Sequence, residues 1–454
     1  MKRRPGQKNR VPQVSNLRPG NRHPASPQSD AGRTVLVQIE KPVYGGAFLA
    51  RDEGKAIFVP LALPGEQVRV RVVEEKRGYA TAEIEELLEA ATERIAPACP
   101  HFGSCGGCQY QHADYDAQLQ IKTAVLRETL ERGGIHMPDD ISVLAGHPWG
   151  YRNRVRLAFD AQGNPGYRGR RSHAVVPIRE CPIAAPLLVK GALAAADVAR
   201  SFAPALRPTE LALFCDADET ALLLTVFVAA PAKIRFDEFA AALQNRIPQL
   251  AGAELILETA HRPPRTLAQW GATSIQYRAA GADYRVDHGA FFQVNRWLVD
   301  ALVERVTSGQ AGALAWDLFA GVGLFARQLA RSFERVVAVE SAPAAITALE
   351  ANLGGTTGGA IRASTLDFLR RNHKDARPDL VVVDPPRTGL GAEITASLAA
   401  IAPPGLVYVS CDPATLARDL RVLLATGYRV ESIAMVDLFP QTFHLETVVR
   451  LHRS

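Results

Sequence analysis

Four short stretches in the last third of the chain carry residue types that covalent chemistry needs. Val381-Val-Val-Asp384-Pro385-Pro386-Arg387 ends an apolar run in an acid, two prolines and a cation. Proline fixes the backbone and donates no hydrogen bond, so the carbonyls are left to point outward. Such an edge suits a floor for a flat base. Tyr408-Val-Ser410-Cys411-Asp412-Pro413 ends a second apolar run in a thiol. A thiol becomes a nucleophile where a nearby positive charge lowers its pKa; alone in a buried strand it is a small apolar residue. Phe443-His444-Leu445-Glu446 puts an acid at the start of the last apolar run, as a surface cap or as a general base facing a cleft. Asp317-Leu-Phe-Ala-Gly321-Val-Gly323 joins a strand to a helix through glycines that let a ligand approach the backbone. Gly321, Gly323 and Ala326 also fit the G-x-G-x-x-A dinucleotide pattern, and Glu340, 17 residues after Gly323, is placed to accept bonds from ribose hydroxyls. The glycines do not choose between NAD and S-adenosylmethionine. Asp317 favours the methyl donor, because a carboxylate suits a cationic methionine end and not a pyrophosphate.

A fifth set lies upstream. Cys99, Cys105 and Cys108 fall within ten residues, and Cys181-Pro follows far downstream. C-x5-C-x2-C with a distant fourth thiol is a tetrahedral thiolate set, used by zinc and by four-iron clusters alike, and the spacing does not separate the two. Cys215 sits inside an apolar strand and reads as core.

The elements that must hold these residues follow from periodicity. Thr34–Ile39, Lys55–Pro60, Val68–Val73 and Ala80–Ile84 are short strands, and Val68–Val73 alternates valine with arginine. So small a sheet has costly edges, which predicts a closed barrel, with Arg69, Arg71, Lys76 and Arg77 as a cationic rim. Asp114 to Arg132 reads as an amphipathic helix stopped by Gly133-Gly134. From about 151 to 290 the pattern is rich in strands. Arg152, Arg154 and Arg156, with Tyr167, Arg168, Arg170 and Arg171, read as a basic, aromatic surface for phosphates and stacked bases. From about 291, apolar runs at 315–318, 336–339, 380–383 and 406–410 alternate with helices, as parallel strands buried on both faces do.

The 454 residues leave room for two to four domains. No apolar window is long enough to span a membrane. Of the net charge of +5, residues 1–32 hold seven Lys or Arg against one acid, so the rest of the chain is nearly neutral. This tail also carries five prolines, and its composition predicts a disordered basic arm suited to a polyanion. Without a secretory pattern, the cysteines point to a reducing, cytoplasmic setting.

Taken together, these motifs resemble the RNA uracil-C5 methyltransferases, and within them the iron–sulfur-containing type that acts on 23S rRNA. The resemblance spans nearly the whole chain after the tail, and Phe291-Phe-Gln293-Val-Asn295 belongs to it. It implies an α/β fold: a Rossmann-like class I methyltransferase domain, an N-terminal OB-like TRAM barrel that binds RNA, and a central α+β iron–sulfur domain. The expected layout is tail 1–32, barrel 33–92, central domain 93–288 and transferase domain 289–454, with the helix at 114–132 packed on the last. It implies S-adenosylmethionine held by Gln293, Phe319, Leu324, Glu340, Thr365 and Asp384. It implies nucleophile Cys411, base Glu446, and a 4Fe–4S cluster on Cys99, Cys105, Cys108 and Cys181. A cytoplasmic monomer acting on 23S rRNA is expected, with tRNA as the alternative substrate. Ala320 stands where many members have cysteine, Leu324 replaces a polar residue, and the segment near Thr365 lacks an acid used by some relatives, although Asp367 is close. Two rival readings are an NAD oxidoreductase and a non-catalytic iron–sulfur RNA-binding protein.

Overall fold

The computed structural model describes residues 32–136, 141–231, 234–260, 262–372 and 377–453. The basic tail expected at 1–32 lies outside the described residues except for Gly32.

Strands β1 (Thr34–Val43), β2 (Ala47–Asp52), β3 (Lys55–Pro60), β4 (Gln67–Glu75) and β5 (Tyr79–Glu89) close into a barrel in the order β1-β2-β3-β5-β4. Alternation decides the faces: Val68, Val70 and Val72 of β4 are buried inside, and the intervening arginines face out. The cationic rim does not form as expected. Arg69 pairs with Glu86, Arg71 with Glu83 and Glu85, and Lys76 with Glu74. The period that turns the arginines outward also turns the acids of β5 toward them across the ladder.

The middle of the chain runs α1 (Tyr115–Arg132), β6 (Ser142–Leu144), β7 (Arg154–Phe159), β8 (Pro165–Arg168), β9 (Val175–Pro177), α2 (Pro186–Ser201) and β10 (Pro208–Cys215). It continues through β11 (Leu222–Val228), α3 (Phe236–Gln244), β12 (Leu250–Thr259), β13 (Arg262–Gly271), β14 (Ser274–Ala279) and β15 (Ala282–Asp287). One sheet, ordered β13-β12-β11-β10-β7-β8-β9, shares a core with α2 and α3. The β14–β15 hairpin packs elsewhere, with Tyr277, Tyr284 and Val286 joining the core of the following unit.

That unit comprises α4 (Val299–Thr307), β16 (Gly312–Leu318), α5 (Leu324–Leu329), β17 (Phe333–Glu340), α6 (Pro343–Leu353), β18 (Gly358–Arg362) and α7 (Thr365–Asn372). It ends with β19 (Leu380–Val383), α8 (Gly391–Ile401), β20 (Gly405–Ser410), α9 (Pro413–Ala425), β21 (Tyr428–Val436) and β22 (Glu446–Arg453). Its sheet has the order β18-β17-β16-β19-β20-β22-β21-β6. Strands β16 to β20 pair in parallel, and β22 runs antiparallel between β20 and β21. Every residue of β19 is buried, as a strand covered on both faces requires.

The edge strand β6 pairs with β21, and α1 lays Val125, Leu126 and Leu130 into the same core as Val381 and Leu416. Asp114 starts that helix by accepting the Ala117 N–H at 2.7 Å. Part of the 93–288 stretch thus belongs structurally to the C-terminal sheet. The apolar stripe of an amphipathic helix buries wherever a matching face exists, and sequence distance does not enter.

Candidate active site

The strand order reverses between β16 and β19, and ligands of open α/β sheets bind beyond the carboxyl ends of the strands at such a point. The sheet brings Asp317 and Phe319, Glu340, Asp384 and Cys411 to this edge, at or just past the ends of β16, β17, β19 and β20. Gln293 enters from the preceding loop, its Nε2 donating to Asp384 at 3.4 Å.

The glycine loop is built around two carboxylates. Asp317 is fully buried and accepts the Ala326 N–H at 2.8 Å, with its second oxygen unpartnered. Burial pushes its pKa up to about 8, opposed by the Ala326 N–H. Glu340 accepts N–H groups from Gly321 at 2.9 Å and from Ser341 and Ala342 at 2.6 Å. Gly323 has φ 88° and opens α5, where a Cβ would sit 2.7 Å from Leu349 Cδ1, so the turn needs glycine. Phe319 takes a φ of 67°, an unusual value for an aromatic residue. Leu324 is buried at the first turn of α5, and Thr365 is buried at the start of α7.

The edge that carries Cys411 lies on the other side of the switch point. Cys411 occupies a tight strand-to-helix turn. Ser410 Oγ donates to the Asp412 carbonyl at 3.1 Å, and Asp412 caps α9 through the Ala414 and Thr415 N–H groups. Burial pushes the Cys411 thiol up to about 12, with Glu446 and Asp384 adding to the rise and Arg387 opposing it. Glu446 is buried at the first position of β22, with Oε1 unpartnered. Burial and Asp384 hold its carboxyl well above the usual range, and Arg387 pulls it down. Burial likewise raises Asp384. The Arg387 guanidinium lies 3.0–3.1 Å from both ring nitrogens of His444. Burial, then Arg387, lowers His444 to about 3, which leaves the ring neutral. A thiol, the carboxyl groups of Glu446 and Asp384 and one cation thus share one edge. Such a set can take up and release a proton beside a nucleophile.

Two residues of this neighbourhood escaped the sequence reading. Tyr44, at the β1–β2 turn of the barrel, donates to the Cys411 carbonyl at 3.4 Å and meets the Phe443 ring edge-on at 5.8 Å. Gln441, between β21 and β22, is buried at φ 69°. An aromatic residue beside Gly45-Gly46 was the available signal for Tyr44; nothing local marks Gln441.

The four cysteines of the upstream set line one cavity of about 70 Å³ together with His101, Arg152, Tyr167 and Glu180. Burial raises the Cys99 and Cys105 thiols and pushes Cys108 up to about 12. Among the described residues, no set of three or more His, Cys, Asp or Glu side chains stands as a ready metal-ion site. The basic surface differs from expectation too. Arg152 turns inward to the cysteine cavity, and Arg154 turns in to bond the Ala290 carbonyl. Arg156 is exposed but paired with Glu210 and Glu258. The cation-lined hollow that remains joins Arg156, Arg168, Arg170 and Arg171 to Tyr167 and Phe443, with a volume of about 510 Å³. Among the described residues no helix is long and apolar enough to cross a membrane.

Residues 372–454 match the family model described as tRNA (Uracil-5-)-methyltransferase, and residues 28–84 match the TRAM domain. An uncharacterized RNA methyltransferase of Streptomyces avermitilis is 34% identical, over 92% of this chain and 98% of its own. A 23S rRNA (uracil(1939)-C(5))-methyltransferase, RlmD, of Klebsiella pneumoniae is 35% identical, over 92% and 95%. Its Halomonas elongata counterpart is 33% identical, over 96% and 94%. The crystal structure of Pyrococcus abyssi tRNA (uracil-54, C5)-methyltransferase with S-adenosyl-L-homocysteine has the same fold, with a TM-score of 0.73 at 24% identity over 91% of this chain and 99% of that one. With its TRAM barrel, its parallel sheet and full-length relatives at this identity, the chain belongs to the S-adenosylmethionine-dependent RNA (uracil-C5)-methyltransferases.

Proposed function

We propose that the enzyme methylates C5 of a uridine in 23S rRNA through a covalent adduct between Cys411 and uracil C6. The observation that carries this reading is the meeting of Cys411, Glu446, Asp384 and Arg387 at one sheet edge, where Glu446, Asp384 and Arg387 act on the thiol and Asp384 and Arg387 act on Glu446. The named relatives at 33–35% identity support 23S rRNA as the substrate.

Uracil C5 is a weak nucleophile. The Cys411 thiolate adds to C6, and the C5–C6 π pair moves to O4 as an enolate. C5 then attacks the sulfonium methyl, whose carbon–sulfur bond breaks to leave neutral S-adenosylhomocysteine. Glu446 takes the proton from C5, the C5=C6 bond reforms, and the thiolate is expelled. Arg387 favours the thiolate as it forms, opposing the rise that burial imposes on Cys411, and neutral His444 holds Arg387 without adding a competing charge. The donor side falls to Gln293, Phe319, Leu324, Glu340, Thr365 and Asp384 around the switch point. The target base must leave its stack, which costs a few kcal/mol. The barrel and the Arg168–Arg171 hollow offset this through contacts that weaken with salt.

The layout we propose is barrel 33–92, central unit 93–288 and transferase unit 289–454, with α1 and β6 built into the last. A 4Fe–4S cluster fits the cysteine cavity by its donor set: four thiols on one wall-to-wall space, with Arg152 to balance thiolate charge. Cys99, Cys105, Cys108 and Cys181 would hold it. When bound, it would tie the 99–108 loop to Cys181 in the connection between β9 and α2.

The test is tritium release from RNA labelled at uracil C5, with 23S rRNA fragments and tRNA offered in parallel. Donor-dependent release from the 23S fragments is expected. Release from tRNA alone overturns the substrate, and release from neither overturns the reaction. Cys411→Ala should abolish turnover while donor binding stays within twofold. Glu446→Gln should accumulate an enzyme–RNA adduct stable on denaturing gels.

A further inference from the structure

The segment from Asp437 to His444 links β21 to the strand that starts with Glu446, and it is clamped at successive carbonyls. Asn295 Nδ2 donates to the Leu438 carbonyl at 3.1 Å, Lys122 Nζ to that of Phe439 at 2.8 Å, and the Tyr151 hydroxyl to that of Pro440 at 3.0 Å. Gln441 then makes four bonds. Its carbonyl accepts the N–H groups of Gln109 at 2.9 Å and Tyr110 at 3.0 Å, the two residues directly after Cys108. Its N–H donates to Gln118 Oε1 at 2.9 Å, and its Oε1 accepts from Gln118 Nε2 at 3.0 Å. Gln109 completes the tie by accepting the Phe443 N–H at 3.3 Å.

Gln441 does this at φ 69° while 2% exposed. A non-glycine residue holds that conformation only where its surroundings over-determine it, and such residues cluster at functional sites. Five residues on lies Glu446, whose buried Oε1 has no hydrogen-bond partner. Its place is set by the backbone that leads to it.

We propose that Gln441 is a positioning residue for Glu446. Through it the cysteine loop and helix α1 are tied to the base, so that order at Cys108 is felt at the step that removes the C5 proton. This rests on the role proposed for Glu446. A misplacement of about 1 Å at a reacting group costs about 10²-fold in rate.

The experiment uses the full chain purified with its iron content measured. Gln441→Ala should lower kcat by about 10²-fold. The KM for RNA and the donor Kd should stay within twofold, iron per chain should equal that of the wild type, and the enzyme–RNA adduct should accumulate. Amide exchange at Phe443–Glu446 should speed up in the free protein. Gln118→Ala removes the Gln118–Gln441 side-chain bond from the other partner, together with the acceptor of the Gln441 N–H and a bond to the Ala113 carbonyl, and should repeat the pattern at least as strongly. Gln118→Glu, which keeps the acceptor for the Gln441 N–H, should recover part of the rate. Should Gln441→Ala fail to fold, the two Gln118 variants decide. Wild-type kcat in Gln118→Ala, unchanged exchange at Phe443–Glu446, or a loss of kcat without adduct overturns the proposal. Absence of tritium release in the wild type overturns the reaction instead, and the exchange measurement still decides whether Gln441 holds the loop.

Discussion

Replacing Lys122 by methionine tests the cost of one buried charge; it also removes the Lys122 bond to the Phe439 carbonyl, which still accepts from Thr442. Lys122 of α1 and Asp437 at the end of β21 are 1% and 0% exposed, and Nζ lies 2.6 Å from the carboxylate. Burial pulls the Lys122 ammonium down from its ordinary pKa, and Asp437 pushes it back up. The second Asp437 oxygen has no hydrogen-bond partner, so the ammonium is its main compensation. Lys122→Met keeps the length and apolar stem but leaves the carboxylate buried alone. Breaking such a pair from one side destabilises by about 3–5 kcal/mol. For a unit of this size, that lowers the melting point by roughly 6–20 °C. Adding Asp437→Leu removes the orphaned charge, and the double variant should return to within about 1 kcal/mol of the wild type, since a well-packed apolar pair replaces a buried ion pair at little or no loss. Calorimetry and urea midpoints on the three proteins at pH 7 read the effect. A Lys122→Met protein within about 1 kcal/mol of the wild type would refute the claim that this pair carries uncompensated charge when split.

Arg387→Ala should raise the Cys411 thiol further and move the pH profile of adduct formation toward alkali, slowing it at least about tenfold at neutral pH; superimposable profiles would show that Arg387 does not act on the thiol. Asp317 has a folded pKa raised to about 8, so its favourable contribution is complete below its unfolded pKa, near 4, and is lost as pH rises through 8. Asp317→Asn should therefore gain on the wild type by about 1.4 kcal/mol per pH unit across that window, and parallel stability curves would contradict it. Gly323→Ala meets both a φ of 88° and Leu349 Cδ1 at 2.7 Å, so donor affinity should fall and stability drop by about 1–3 kcal/mol, as isothermal titration and urea melts would report.

Much of this site was legible in the sequence because its motifs sit at strand ends. An apolar run that stops at Asp384 or Cys411 fixes both the strand and the edge on which the side chain emerges. The fold was legible for the same reason: period-2 alternation marked the barrel, and unbroken apolar runs marked the parallel sheet. Contacts set by tertiary packing were not legible. Alternation gave Arg69 and Arg71 a face but not the glutamates of β5 opposite them. Charge alone suggested that Arg152 and Arg154 look outward, whereas a cysteine cavity and a backbone carbonyl hold them inside. Tyr44 lies 367 residues from Cys411, and no local rule joins a barrel turn to a thiol at the end of a distant strand.

The pairing of β6 with β21 joins Ser142 to Ala434. On a ribosome making about 5–20 residues per second, the early strand waits roughly 15–60 s for its partner. During that time Val125, Leu126 and Leu130 of α1 have no face to cover them, because the α9 and β19 surfaces they pack on are not yet made. The barrel and the central sheet can close as they emerge, but the C-terminal sheet is completed only once β21 and β22 have been made. The nascent protein therefore passes through a state in which the barrel is closed while the apolar stripe of amphipathic α1 stays uncovered until the last strands are made.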